Sequence, residues 1–171
     1  MWRSFPADRV LLSEGGAVAT QTADEEWSLT TTEVELTEGK HYWEVELLSE
    51  DIEYRHIGNL FIGISRPNLD PTGAYLEREC TDGWFICADY GDLCGNGKEE
   101  DDAAGGYKQG DRVGVLLDLG NGSLRFFKNG VEHGPGYAAG SVAGPVVVAV
   151  QMVFENASVR LLPNAEAPAG V

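Results

Sequence analysis

The apolar residues of this chain fall in short runs of strand length, punctuated by Gly, Asn and Pro, and residues 110–137 show the pattern most clearly. Arg112 to Leu119 is a β-branched and Leu-rich run that stops at Gly120-Asn121-Gly122, where positive φ costs little, and resumes as Ser123 to Lys128. Asn129-Gly130 follows at once. This pair is the strongest short hairpin signal, because a type I′ turn takes left-handed backbone at both central residues and its twist matches the strands it joins. Val131-Glu132-His133 then runs out into Gly134-Pro135-Gly136, so the segment predicts a three-strand antiparallel meander.

The rest of the chain reads the same way. Arg9 to Leu12 predicts a short strand, Ser13-Glu14-Gly15-Gly16 a turn, and Ala17 to Gln21 its hairpin partner. Trp27 to Thr31 and Glu33 to Leu36 read as β by their Thr, Val and Trp content, and Thr37 to Lys40 turns the chain into a strand from Tyr42 to Leu48. In that strand Trp43, Val45 and Leu47 share one face, expected to be core, while Tyr42, Glu44 and Glu46 share the other. Phe61 to Ser65, Trp84 to Ala88 and Val146 to Met152 are more uniformly apolar, as in strands covered on both faces. Ser158 to Leu162 supplies a closing strand. The tail 163–171 lacks large side chains for most of its length and is expected to fray, leaving residues 1–162 as one domain. No stretch predicts an amphipathic helix, although Leu69 to Leu76 has room for a helical turn or two. The fold class expected is all-β.

Composition narrows what such a domain does. At 171 residues with 43% hydrophobic content the chain is of ordinary single-domain size and can bury its own core. The longest apolar run, Pro145 to Val150, is far short of a membrane span, and no charged start leads into an apolar signal segment. Three cysteines, Cys80, Cys87 and Cys94, form no disulfide-dense pattern and fit reduced thiols in the cytoplasm or nucleus. The formal net charge of −16 repels phosphate backbones and anionic headgroups, which argues against nucleic acid and membrane partners. The same field favours solubility and speeds encounter with a basic partner segment. The acid run Lys98 to Asp102, followed by Ala103-Ala104-Gly105-Gly106, is expected to be a solvated loop.

Candidate chemistry is sparse. Glu44 and Glu46, two apart on one strand face, are the arrangement a jelly-roll glycoside hydrolase uses for acid and nucleophile, but paired acids on a solvent-facing strand are common. The cysteines, seven apart, do not have metal-ligand spacing, and His41, His56 and His133 are scattered over different segments. Cys87 reads as a small buried hydrophobe, so the more reactive thiol is expected at Cys80 or Cys94 in a loop. Asp89, Asp92 and Asn96 lie near a turn but lack the alternating oxygen ligands of a calcium loop. Neither a metal nor a cofactor is expected. Asn156-Ala157-Ser158 matches a glycosylation acceptor, a signal without weight unless the chain is secreted.

Five blocks in order, Gly39 to Leu47, Phe61 to Pro67, Asp82 to Phe85, Gly110 to Tyr137 and Gly144 to Val150, resemble the SPRY domain family over roughly residues 34–162. The resemblance implies a bent sandwich of two antiparallel sheets, no catalysis, and a loop-built surface that captures a partner protein or short linear peptide, in a monomeric domain of a larger protein. In the peptide-capturing SPRY subfamily the pocket draws on three regions. They match Glu14-Gly15-Gly16, the loop Gly73-Ala74-Tyr75-Leu76, and the strand end Val150-Gln151-Met152 here. The resemblance therefore nominates Gly15, Gly16, Tyr75, Gln151 and Met152, with Arg66 at the rim. Tyr75 supplies a rigid aromatic face with a hydroxyl able to read a peptide amide. Gln151 departs from the subfamily, which places an aromatic residue followed by Gly, so a more polar and adaptable pocket is expected. The alternative reading is a carbohydrate-binding or glycoside-cleaving jelly roll, or a scaffold domain with an idle surface.

Overall fold

Asn129 and Gly130 take φ values of 51° and 82°, the left-handed pair a type I′ turn requires, and so hold strands β11 (Ser123–Lys128) and β12 (Val131–Glu132) in one hairpin. Gly122, at φ 75°, closes the preceding turn from β10 (Arg112–Asp118). The meander expected from residues 110–137 is therefore present, and Tyr137 extends it by bridging back to Leu124. The structure, a computed structural model, describes residues 1–4, 8–49 and 59–171.

The remaining strands among the described residues are β1 (Trp2–Ser4), β2 (Val10–Ser13), β3 (Val18–Gln21), β4 (Ser28–Thr32), β5 (Lys40–Leu47), β6 (Phe61–Ser65), β7 (Gly83–Cys87), β8 (Leu93–Gly95), β9 (Lys98–Asp101), β13 (Val147–Met152) and β14 (Ser158–Leu162). They form two antiparallel sheets of seven strands. One runs β1-β4-β13-β6-β7-β8-β9 and the other β12-β11-β10-β5-β14-β3-β2. The only helical element among the described residues is a 3-10 turn at Glu14–Gly16, and the helical turn expected within 69–76 is absent.

Alternation decides which side chains enter the sandwich. Trp43, Val45 and Leu47 of β5 face inward and meet Ile62, Ile64, Trp84 and Ile86 from the opposite sheet, with Val113, Val115, Leu117 and Phe126 beside them. Trp84 is buried, and its indole N–H donates to Ser141 O at 2.9 Å. Strands β6, β7 and β13 are buried on both faces, as their uniform apolar character predicts. Their second face carries Phe61, Phe85, Cys87 and Ala149, which with Leu29 and Cys94 make a smaller cluster capped by Trp27, Leu69, Tyr75 and Leu76. Gly63 is obligatory at the centre: a Cβ there would lie 1.9 Å from the Trp84 carbonyl on the neighbouring strand.

Four local readings are corrected. Lys98 to Asp101 is not a solvated loop but edge strand β9, folded onto β8 by Asn96-Gly97 at φ 51° and 90°, a second Asn-Gly turn. Lys98 and Glu99 suit a sheet edge, where charge discourages pairing with another chain. Glu33 to Leu36 is not a strand: β4 stops at Thr32, and Leu36 makes one isolated bridge with Val146. Strand β1 was not foreseen, because three residues are too few to display a period, yet Trp2 is buried and pairs with Thr32. Cys94 lies buried in β8 rather than in a loop, while Cys80 is half-buried.

Candidate functional site

The segment linking β6 to β7, residues 66–82, has no regular structure and crosses the outer face of the first sheet. Its shape comes from its own polar residues. Asp70 accepts from Thr72 N at 2.9 Å and Thr72 Oγ1 at 2.8 Å, and these two donors hold its carboxyl below the usual carboxylate range. Tyr75 folds back so that its ring covers Gly73, where a Cβ would meet the phenol oxygen at 2.6 Å, and its hydroxyl donates to Asp70 O at 2.9 Å. Pro71 O accepts from Leu29 N at 2.8 Å and ties the loop to β4.

Gln151 does the rest from below. Its side-chain Oε1 accepts from Tyr75 N at 2.7 Å and its Nε2 donates to Gly73 O at 2.8 Å. The residue has no exposed surface, so the amide is a buried clamp on the loop backbone rather than a wall open to a ligand. This corrects the expectation for Gln151, and Met152 needs a larger correction. It points the other way, into the main core, with no exposed surface, because adjacent residues of a strand face opposite sides of the sheet. Neither can touch a partner directly. Of the residues nominated by resemblance, Tyr75 and Gln151 are in contact and Tyr75 is half-buried.

The other nominees lie apart from this clamp. Gly15 and Gly16 sit in the 3-10 turn that closes the β2–β3 hairpin, in the second sheet; a Cβ on Gly16 would come within 3.3 Å of Met1 Cβ. Glu14 of the same turn receives two hydrogen bonds from Arg160, at 3.0 and 3.1 Å, and Arg160 also binds Glu46 at 2.9 Å. Arg66 is half-buried. Its guanidinium lies 5.0 Å from the Trp84 ring centroid and donates to the Ala143 and Pro145 carbonyls, which docks the 143–145 loop against β7.

A depression of about 590 Å³ opens beside the Tyr75 loop, lined by Arg3 of β1, Leu29 and Thr31 of β4, and loop residues Asn68, Leu69, Pro71 and Thr72. Its wall residues come from three separate segments. Sequence reasoning passed over Arg3, Asn68 and Thr72 because no local pattern marks them.

The catalytic candidates are occupied in other ways. Glu44 accepts from Tyr42 Oη at 3.0 Å and pairs with Arg112 at 3.4 Å, and Glu46 pairs with Arg160, so both carboxylates belong to the ion-pair surface of the second sheet. Burial pushes the Cys87 thiol up to about 11, which suits a core residue and not a nucleophile. Among the described residues no group of three or more His, Cys, Asp or Glu could hold a metal ion; His56 lies outside them. No described helix is long and apolar enough to cross a membrane.

Comparison with solved structures places this sandwich among SPRY domains. The SPRY domain of human HERC1 superposes with a TM-score of 0.76 at 19% identity, covering 96% of this chain and 99% of that one. The PSpry domain of TRIM65 gives 0.70 at 19% identity, with 94% and 90% covered, and a human SPRY domain gives 0.68 at 17%, with 97% and 99% covered. At these identities the likeness is one of fold. No curated protein matches the sequence. The SPRY family model, however, matches residues 40–165, about three quarters of the chain and most of the five sequence blocks, and on that ground this protein belongs to the SPRY domain family of protein-interaction modules.

Proposed function

We propose that this domain is a non-catalytic module that captures a partner protein, as a short peptide segment, on the surface formed by the 66–82 loop and the adjoining residues of β1 and β4. One observation carries the reading: a buried Gln151 spends both ends of its side chain on fixing the Gly73 to Tyr75 backbone. Rigidifying a loop before binding lowers the ordering cost that a partner must otherwise meet. The loop so fixed holds Tyr75 half-exposed next to a depression with apolar and polar wall groups, the composition from which interface anchors are built. The net charge of −16 favours a basic segment over an acidic one. Three cysteines with free thiols fit a reducing cytoplasmic or nuclear setting.

The test is affinity capture from native extract with the wild-type domain, Tyr75→Ala and Thr72→Arg. Discrete partners retained by the parent and weakened by roughly 2 kcal/mol in Tyr75→Ala are expected, with thermal stability followed in parallel. Capture indifferent to both substitutions would remove this surface from the function. Titration with glycans and calcium separates the carbohydrate reading, under which the Glu44→Gln and Glu46→Gln pair would abolish activity.

A further inference from the structure

A second groove opens at the edge of the sandwich, between the chain leaving β4 and the first residues of β5. Ala149 faces Thr31, whereas Val146 faces Leu36, so three steps along β13 are matched by five along the other chain. The two-residue excess bulges outward at Glu33 to Glu35. Val34 is carried to 68% exposure, and a cleft of about 370 Å³ opens behind it. Apolar side chains of Met1, Val34, Leu36, Trp43, Val148 and Leu161 line it, together with the polar groups of Thr32, Lys40, His41 and Tyr42. The rim is acidic. Glu33 and Glu35 are exposed on the bulged segment and Glu38 just beyond it; Arg3 lies 3.9 Å from Glu33, and Lys40, which lines the cleft, is paired with Asp118 at 3.6 Å.

From this geometry we infer a second docking site, distinct from the Tyr75 surface, that takes an extended basic segment of a partner protein with one or two aliphatic side chains seated in the cleft. Size and charge select that occupant. The volume lies at the small end of ligand sites and suits aliphatic side chains, while a helix about 10 Å across would rest on the rim without entering. Alternation in an extended segment sends apolar side chains inward and leaves Lys or Arg outward against Glu33, Glu35 and Glu38. A second copy of this chain brings another −16 charges and is repelled, and so are nucleic acid and anionic lipid.

The probe is a fluorescein-labelled heptapeptide alternating lysine or arginine with valine and leucine, titrated by anisotropy against the whole chain. Two control peptides replace the apolar residues by serine or the basic ones by glutamate. Saturable binding is expected for the first peptide only, weakened at least tenfold by Val34→Asp and by the pair Glu35→Lys, Glu38→Lys. All three positions are exposed, so the variants should fold, and circular dichroism checks that they do. Equal binding of the serine peptide would show charge attraction without groove recognition and overturn the inference. Affinity unchanged in Val34→Asp, or no binding at all, would do the same. A concentration-dependent dimer in sedimentation velocity that Val34→Asp abolishes would assign the groove to a second copy and also overturn it. Tyr75→Ala is expected to leave this peptide's affinity unchanged, which keeps the two surfaces distinguishable.

Discussion

Gln151 and Tyr75 stand 76 residues apart in sequence and are joined at 2.7 Å through a hydrogen bond from the Tyr75 backbone N–H to the Gln151 side-chain oxygen. The other end of the same amide donates to Gly73 O. One buried side chain thus satisfies two backbone groups of a loop that has no ladder of its own, and the strand that carries it supports the proposed binding surface from beneath.

Replacing Gln151 by Leu keeps a similar volume and strands both backbone groups. The expected loss is about 2 kcal/mol, within the range for leaving buried polar groups unsatisfied. Hydrogen exchange is the sharper measurement. The Tyr75 amide should lose protection in Gln151→Leu while the amides of β13 keep theirs, and unchanged exchange at Tyr75 would separate the clamp from the loop.

Trp43→Ala removes a side chain only 3% exposed at the centre of the main core. The loss expected from urea denaturation is about 3–5 kcal/mol. A value below about 1 kcal/mol would mean that the two sheets close over the vacated space.

The β11–β12 turn distinguishes backbone preference from side-chain contact. Gly130→Val places a β-branched residue at φ 82° and should cost about 1–2 kcal/mol. On turn preference alone Asn129→Gly is neutral, but Asn129 Oδ1 accepts from Arg112 N at 2.9 Å and its Nδ2 donates to Asp111 at 2.8 Å. Asn129→Gly should therefore also destabilise, by about 1–3 kcal/mol. Coincident melting curves for Asn129→Gly and the parent would show these bonds to be dispensable.

Asp111 should confer acid sensitivity. Burial by itself raises its carboxyl, but the Asn129 amide, the Lys108 backbone N–H and the Lys128 ammonium at 3.5 Å outweigh it and hold the group below the ordinary carboxylate range. A depressed folded value stabilises the protein above the unfolded value of about 3.9 and is lost as pH falls through the folded one. The stability lead of the parent over Asp111→Asn should accordingly be flat from neutral pH to about 5 and shrink below about 4. A lead constant down to pH 2 in denaturant titrations would exclude Asp111 as the source.

The placement of individual strands was legible because it depends on near neighbours. Period-two alternation sent Trp43, Val45 and Leu47 inward, continuous apolar runs marked β6, β7 and β13 as covered on both faces, and Asn129-Gly130 turned the chain where its left-handed tolerance allows. Asn96-Gly97 carried the same signal, and the acid run after it masked a strand because charge is a poor guide at a sheet edge, where one face and one row of backbone groups remain in water. The site was legible only in part. Tyr75 could be nominated from its loop context, but a lone Gln in the apolar run Val146 to Val153 reads equally as a pocket wall or a buried clamp.

What the sequence determined by itself was the all-β class, the meander, and the inward faces of the strands, since each follows from backbone preference and side-chain period within a few residues. Only the tertiary structure decided that Gln151 supports the loop, that Met152 belongs to the core, and that a two-residue excess against β13 lifts Val34 off the sheet. These depend on register between strands distant in the chain. A shift of one residue there exchanges a buried side chain for an exposed one, and no local window of sequence records it.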